Sequence, residues 1–477
     1  MTKALQSGLL TESNMALFAD YYELTMGKAD FDSGNNAICT ENYFVRFIPQ
    51  GEYMIAAGLE QVIHYILNLR FTDADLKWLK ESKPTPDMSD DFLDYLRHFK
   101  FDGDVYAVPE GTPVFANEPL INVTGRSIDV QIFETYLLNM MNFQTLIATK
   151  TARIVHAARG RTCFDFGARR AHGRDAGILA ARASFIGGAA GTSLVIAGQY
   201  FNIPYVGTTA HKFIMDRPSE LAAFRDYAKS FPHNTLLLID TYDTIQGARN
   251  ACIVGKEIQA SGAQLRGVRL DSGDLLALSK AVREIFDEAG LHDVQIFASN
   301  DLDEFQIDQL LAAGAPIDGF GVGTRLATGA NFNPLTGEGG PSALPGVYKH
   351  VERIEDEKVT VTMKFSEDAG KSTLPSRKQL HRMYDDDGKY VKDVISLWDE
   401  NIEDSEPLLV PVVRNGELVY SFRDMAAMQA TAKTELARLP EPYKRLTKAE
   451  KYPVVLSPGL EDLLEELTQK RQAEHGE

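Results

Sequence analysis

Ile203-Pro204-Tyr205-Val206-Gly207-Thr208-Thr209-Ala210-His211-Lys212-Phe213 is the stretch on which the fold turns. A short apolar run stops at a glycine, two hydroxyl residues follow, and a histidine stands beside a lysine. The pattern is that of a strand delivering a polar loop to its carboxyl end, where parallel α/β folds bind ligands. Taken alone, such a histidine is more often a solvated or capping residue. Its company changes the balance. Residues 236–239 lead into Asp240, Thr241 and Asp243, and 267–270 into Asp271-Ser272-Gly273-Asp274. Residues 295–298 lead into Ser299-Asn300-Asp301, and 318–320 into Gly321-Val322-Gly323-Thr324. Upstream, 162–166 lead into Gly167-Ala168-Arg169-Arg170. The apolar ends at 206, 239, 270, 298 and 320 are 33, 31, 28 and 22 positions apart. Each interval is the length of one strand, loop and helix, so the segment is expected to form a β/α barrel or an open parallel sheet.

Composition bounds the rest. A chain of 477 residues has room for two or three domains with a large core. Its net charge of −18 argues against broad nucleic-acid binding, which needs basic faces to displace counterions. Local arginines and backbone N–H groups can still hold an anionic substrate. Cys39, Cys163 and Cys252 are scattered, without metal-ligand spacing, and read as reduced thiols. No apolar run approaches membrane-spanning length and no signal-like start is present, so a soluble, cytoplasmic protein is expected.

Three regions follow from the pattern. In 1–127, a capped helix over 13–26 carries Asp20, Tyr21 and Tyr22. Strands follow over 42–48 and in short runs between 104 and 123, with helices over 59–69 and 92–96 and a loop over 81–89. Residues 128–345 open with a helix to 147, in which Glu134, Asn139 and Asn142 read as buried anchors, and then carry the βα repeat. Within it, Gly187–Ser193 is glycine-rich but matches no nucleotide fingerprint; the plain reading is a helix start packed on the sheet. In 346–477, strands are expected over 359–365 and 408–413, with a hairpin turn at Asn415-Gly416. An amphipathic helix is expected from Pro458.

These motifs, in their order, resemble the nicotinate phosphoribosyltransferase family. The resemblance rests on Phe166-Gly167-Ala168-Arg169-Arg170, Gly207-Thr208-Thr209-Ala210-His211, Leu270-Asp271-Ser272-Gly273-Asp274 and Gly321-Val322-Gly323-Thr324. Asp20-Tyr21-Tyr22-Glu23-Leu24-Thr25-Met26, Asn142-Phe143-Gln144-Thr145, Lys378-Gln379 and Tyr452-Pro453-Val454 are also similar. The set spans nearly the whole chain. It implies a type II phosphoribosyltransferase: an irregular α/β barrel plus an α+β sandwich domain from N-terminal and later segments. The implied reaction joins nicotinate to phosphoribosyl pyrophosphate, giving nicotinate mononucleotide and diphosphate for NAD salvage, with ATP hydrolysis coupled through a phosphohistidine. By resemblance, His211 is phosphorylated, Tyr22 stacks on nicotinate, and Thr208 and Arg269 contact it. The family takes that tyrosine from the partner subunit, which implies a homodimer with shared active sites.

Residue chemistry fits this reaction. Departure of diphosphate from ribose C1 builds oxocarbenium character, which carboxylates near the ribose stabilise. Asp271 and Asp274 suit that role, directly or through Mg²⁺. Gly321, Gly323 and Thr324 offer backbone N–H groups and a hydroxyl for phosphate. Arg169, Arg170 and Arg269 supply charge and planar forks. The nearest rival is nicotinamide phosphoribosyltransferase, of the same fold, where an aspartate reads the amide; Ser193 stands in that place here and suits a carboxylate. A barrel glycosidase using Asp271 and Asp274 is disfavoured, because both lie on one short loop. Paired acidic residues are missing after 236–239, which leaves Asp240 and Asp243 as site-lining or structural.

Overall fold

The computed structural model describes residues 10–11, 14–49, 51–82, 88–333, 337, 339–364 and 373–475. At its centre is a parallel sheet of five strands in the order Thr162–Asp165, Gly319–Val322, Gln295–Ala298, Leu265–Leu270, Thr235–Leu238. Two further segments extend it. Thr192 bridges Asp165 on one side and Tyr205 on the other, both in parallel. Read around the arc, the segments at 205, 192, 162, 319, 295, 265 and 235 follow the chain in cyclic order. That is barrel topology with one seam: among the described residues no backbone ladder joins Tyr205 to Thr235–Leu238. The α/β class and the irregular barrel are as expected.

The stretch at 203–213 differs from its expected form. Only Tyr205 pairs, through the Pro204 carbonyl and the Val206 N–H on either side of it. Asn202 turns the chain at φ 52°, and Pro204 has no N–H to lend a ladder, so a longer strand cannot form. Likewise Gly187 ends helix Arg174–Ile186 rather than starting one. A Cβ there would fall 2.3 Å from the Ala148 carbonyl oxygen, so glycine lets this helix end lie against helix Glu134–Ala157.

Around the barrel lies a seven-stranded antiparallel sheet. Its order is Lys358–Val361, Gly346–Glu355, Ile38–Val45, Ile121–Arg126, Asp104–Ala107, Val410–Arg414, Glu417–Leu418, so it draws on N-terminal and later segments. The hairpin at Asn415-Gly416 is present, with both residues at positive φ as a two-residue turn requires. Residues 113–114 leave this sheet and pair with Met54–Ile55 instead. A four-stranded sheet of Ser405–Pro407, Lys378–Tyr384, Tyr390–Leu397 and Val454–Leu456 completes the β structure.

Among helices, Leu59–Asn68, Asp90–Arg97 and Pro458–His475 match expectation. The first long helix starts at Tyr21, not 13, and runs to Ser33. The helix expected over 128–147 splits into Ser127–Gln131 and Glu134–Ala157. Asn142 accepts the Tyr43 hydroxyl at 2.9 Å as an anchor should, whereas Asn139 is exposed. The expected loop over 81–89 and the end of the strand at Phe365 lie largely outside the described residues.

Buried ion pairs fasten barrel to surroundings. Lys150 and Arg153, on helix Glu134–Ala157, hold Glu304 at 2.6 and 3.3 Å, where the loop after Gln295–Ala298 turns into a helix. Arg182 is fully buried and reaches Glu110 at 2.8 Å and Glu60 at 2.7 Å in the outer module. Removing one partner of such a pair leaves an uncompensated buried charge, which costs about 3–5 kcal/mol.

Candidate active site

A cavity of about 900 Å³ opens at the carboxyl end of the barrel strands. Phe166, Arg169, Ser193, Thr208, His211, Arg269 and Asp271 all line it. Loops from widely separated segments therefore converge where the repeat placed them. The structure adds Arg174, Ile178 and Tyr200, which the strand-end reading missed because they stand on helices rather than on strand-end loops.

His211 begins the short helix His211–Met215. Its Nδ1 lies 3.1 Å from the Thr241 hydroxyl and its Nε2 lies 3.7 Å from Asp271 Oδ2. The imidazole side chain is 42% exposed, so it faces the cavity while remaining held. Asp271 Oδ1 accepts the Ser299 hydroxyl, and the Asp271 backbone N–H donates to Asp240 Oδ2 at 3.0 Å. Ser272 donates to that same oxygen at 2.6 Å. Asp240 Oδ1 is buried without a hydrogen-bond partner in the protein, which leaves it open to water, a ligand or an ion.

Arg269 projects from strand Leu265–Leu270 and donates from Nη2 to the Thr209 carbonyl at 3.2 Å. Burial lowers its pKa, and Asp271 and Asp240 oppose that shift. Its Nε and the Thr209 hydroxyl are both buried and unpaired. The His211–Thr241 and Arg269–Thr209 contacts also span the barrel seam, so site residues perform the closure that backbone pairing omits.

The remaining predicted residues lie apart from this cavity. Asp274 accepts the N–H groups of Leu276 and Ala277, each at 3.1 Å, and caps helix Leu275–Glu288; Asp240, not Asp274, stands beside Asp271. Arg170 is exposed at the end of the 3₁₀ turn Ala168–Arg170. Gly321 lies under the Phe166 ring, where a Cβ would fall within 2.3 Å of it, so packing accounts for this glycine. Gly323 and Thr324 stand at the start of a four-residue helix just past the strand end. Tyr22 lines a second cavity of about 330 Å³ with Asp20, Asn139 and Asn142. Burial, and then the adjacent Glu134 carboxylate, raise its pKa.

Residues 162–387 match the nicotinate phosphoribosyltransferase (NAPRTase) family, and residues 17–142 and 403–464 match its N-terminal and C-terminal domains. The chain is 40% identical to nicotinate phosphoribosyltransferase pncB2 of Mycobacterium tuberculosis over 465 residues, covering 97% of this chain and 95% of the relative. It is 38% identical to the nicotinate phosphoribosyltransferase of Bacillus subtilis, with 94% of each covered. The chain belongs to the nicotinate phosphoribosyltransferase family. The crystal structure of human nicotinic acid phosphoribosyltransferase superposes with a TM-score of 0.81 at 28% identity, covering 94% of this chain and all of that one. A nicotinate-nucleotide pyrophosphorylase from Pyrococcus furiosus shares the fold, with a TM-score of 0.71, 23% identity and coverage of 91% and 99%. Membership of the family agrees with the site: arginines, the Asp271 carboxylate and a held histidine meet in one cavity. Among the described residues no helix is long and apolar enough to cross a membrane.

Proposed function

We infer that this chain is an enzyme of NAD salvage that joins nicotinate to phosphoribosyl pyrophosphate, with ATP as co-substrate. The observation that carries the reading is the convergence of Arg269, His211 and Asp271 on the cavity at the barrel seam. Nicotinate places its carboxylate against Arg269, whose buried Nε–H awaits an acceptor, and against the Ser193 and Thr208 hydroxyls. Its ring packs on Phe166. The ring nitrogen then attacks ribose C1 as the bond to diphosphate breaks, and the Asp271 carboxylate stabilises the developing positive charge. Arg169, with Arg170 and the turn at Gly323 and Thr324, receives the phosphates. The stray Asp240 Oδ1 and the neighbouring Asp271 fit Mg²⁺, which binds through one or two carboxylates and otherwise keeps water and phosphate ligands. When bound, the ion would neutralise diphosphate charge.

His211 is the proposed phosphate acceptor. In the tautomer that donates from Nδ1 to Thr241, Nε2 keeps its lone pair toward the cavity. Nε2 attacks the γ-phosphorus of ATP, the bond to ADP breaks, and water later returns the phosphate. Tyr22 is proposed to serve the cavity of a second copy in a homodimer, since in its own chain it lines a different cavity. The regions 1–127, 128–345 and 346–477 are the proposed domains. Nicotinamide is the second reading only if Ser193 is set aside, because an aspartate is what the amide needs there.

The test is a product assay with nicotinate and nicotinamide in parallel, with and without ATP. Nicotinate mononucleotide formation, stimulated by ATP and accompanied by ADP, is expected. Equal turnover of both substrates, or none with nicotinate, refutes the reading.

A further inference from the structure

Asp165 ends the first barrel strand and is fully buried. Burial raises its pKa, and the groups opposing that rise are two donors rather than a cation. Oδ1 accepts the Gly167 N–H at 2.8 Å and Oδ2 accepts the Thr192 hydroxyl at 2.8 Å. The Thr192 hydroxyl oxygen in turn accepts the Leu194 N–H at 3.1 Å. Main-chain bonds add to the link: the Asp165 N–H donates to Gly191 at 2.9 Å, and its carbonyl accepts the Ser193 N–H at 2.8 Å. One carboxylate therefore ties two separate cavity walls. The turn after it carries Phe166 and Arg169; the strand beside it carries Ser193 and Leu194.

A buried carboxylate without a counter-charge is costly, and packing alone would be served by a neutral side chain. What a neutral side chain lacks is acceptor capacity on both oxygens. Asparagine could accept from Gly167, but its NH₂ would replace the oxygen that accepts the Thr192 hydroxyl, and the threonine proton would lose its acceptor. Gly167 is closely packed as well, since a Cβ there would fall 2.4 Å from that of Ala327. We propose that Asp165 and Thr192 are positioning residues that set the spacing between the arginine turn and Ser193, and through it the affinity for nicotinate. The proposal rests on the function inferred above.

Thr192→Val removes the hydroxyl at almost constant volume, and Thr192→Ser restores it. Thr192→Val should raise the KM for nicotinate about tenfold, the loss of one charge-assisted hydrogen bond, with kcat changed less than about twofold. Thr192→Ser should stay near the native values. Amide hydrogen exchange should quicken together at 166–170 and 191–194 in Thr192→Val and in Asp165→Asn, with the global unfolding transition retained. Native nicotinate KM in folded Thr192→Val overturns the positioning role, even if exchange rises. Exchange that rises in one segment alone, or in neither, overturns the clamp itself. The exchange arm needs no turnover, so a native protein that makes no nicotinate mononucleotide would count against the inferred function and leave the clamp to be judged by exchange.

Discussion

Replacing Arg269 with methionine tests the substrate carboxylate directly. The guanidinium is held by the Thr209 carbonyl at 3.2 Å, while its Nε is buried and unpaired. A nicotinate carboxylate completing that fork gains a hydrogen bond between charged groups, worth about 1.5–3 kcal/mol. At about 1.4 kcal/mol per factor of ten, Arg269→Met should lower kcat/KM for nicotinate by roughly 10- to 150-fold. Nicotinamide has no charge to lose, so its slower turnover should fall several-fold less. Arg269→Lys keeps the charge but not the planar fork and should lie between. The same substitution cuts the seam contact to Thr209, at a cost of about 1 kcal/mol in unfolding free energy. Steady-state kinetics with both pyridines at saturating phosphoribosyl pyrophosphate, beside a urea titration, reads all three quantities. Equal losses for the two pyridines, in a protein of near-native stability, would refute the assignment of Arg269 to the carboxylate.

Ser193→Asp should weaken nicotinate use, because it sets a carboxylate against the substrate's own; improved nicotinate turnover would contradict this. His211→Gln should abolish ADP formation and the ATP benefit while leaving a slow ATP-independent transfer, and an absence of acid-labile label after incubation of the native protein with γ-labelled ATP would dismiss the phosphohistidine. Chains carrying Tyr22→Ala and His211→Ala, each inactive alone, should recover part of the activity when mixed; proven heterodimers without recovery would place both residues in one chain's site. Burial raises Glu23 to about 7, so the folded state holds its proton more tightly than the unfolded one. Its contribution is complete below the unfolded value of 4.5 and is lost as pH rises to about 7, so Glu23→Gln should flatten the urea midpoint between those two pH values. An unchanged pH slope would count against this.

What was legible in the sequence was the period of the βα units and the chemistry at strand ends. Asp271 could be found because it follows an apolar run that forms a buried strand, and such strands deliver their loops to one end of a parallel sheet; Arg269 lies within that strand, and His211 follows a stretch of which only Tyr205 pairs. Asp274 shows the limit. Asp-Ser-Gly-Asp places two carboxylates on one loop, but a helix begins at Leu275 and its first N–H groups claim the second carboxylate. Asp240, read as site-lining or structural, proves to be the residue beside Asp271, since strand neighbours 31 positions apart in sequence meet across the ladder. The Phe166–Gly321 contact was illegible for a similar reason: whether a glycine serves a phosphate or an aromatic ring depends on the adjacent strand.

The seam carries the deepest link between fold and site. Here Pro204 and Asn202 prevent pairing next to Thr235–Leu238, and two polar contacts, His211–Thr241 and Arg269–Thr209, span the gap. Each is worth about 1 kcal/mol net, far less than a ladder of several backbone bonds. A ligand that touches both sides of the seam therefore adds to closure in proportion to its binding, by RT ln(1 + [L]/Kd). The same accounting applies to any group placed on His211, because it changes a side chain that joins Thr241 to the loop after Tyr205. Chemistry at the histidine and the spacing of the cavity walls are thus coupled through a seam that the backbone leaves for side chains and substrates to close.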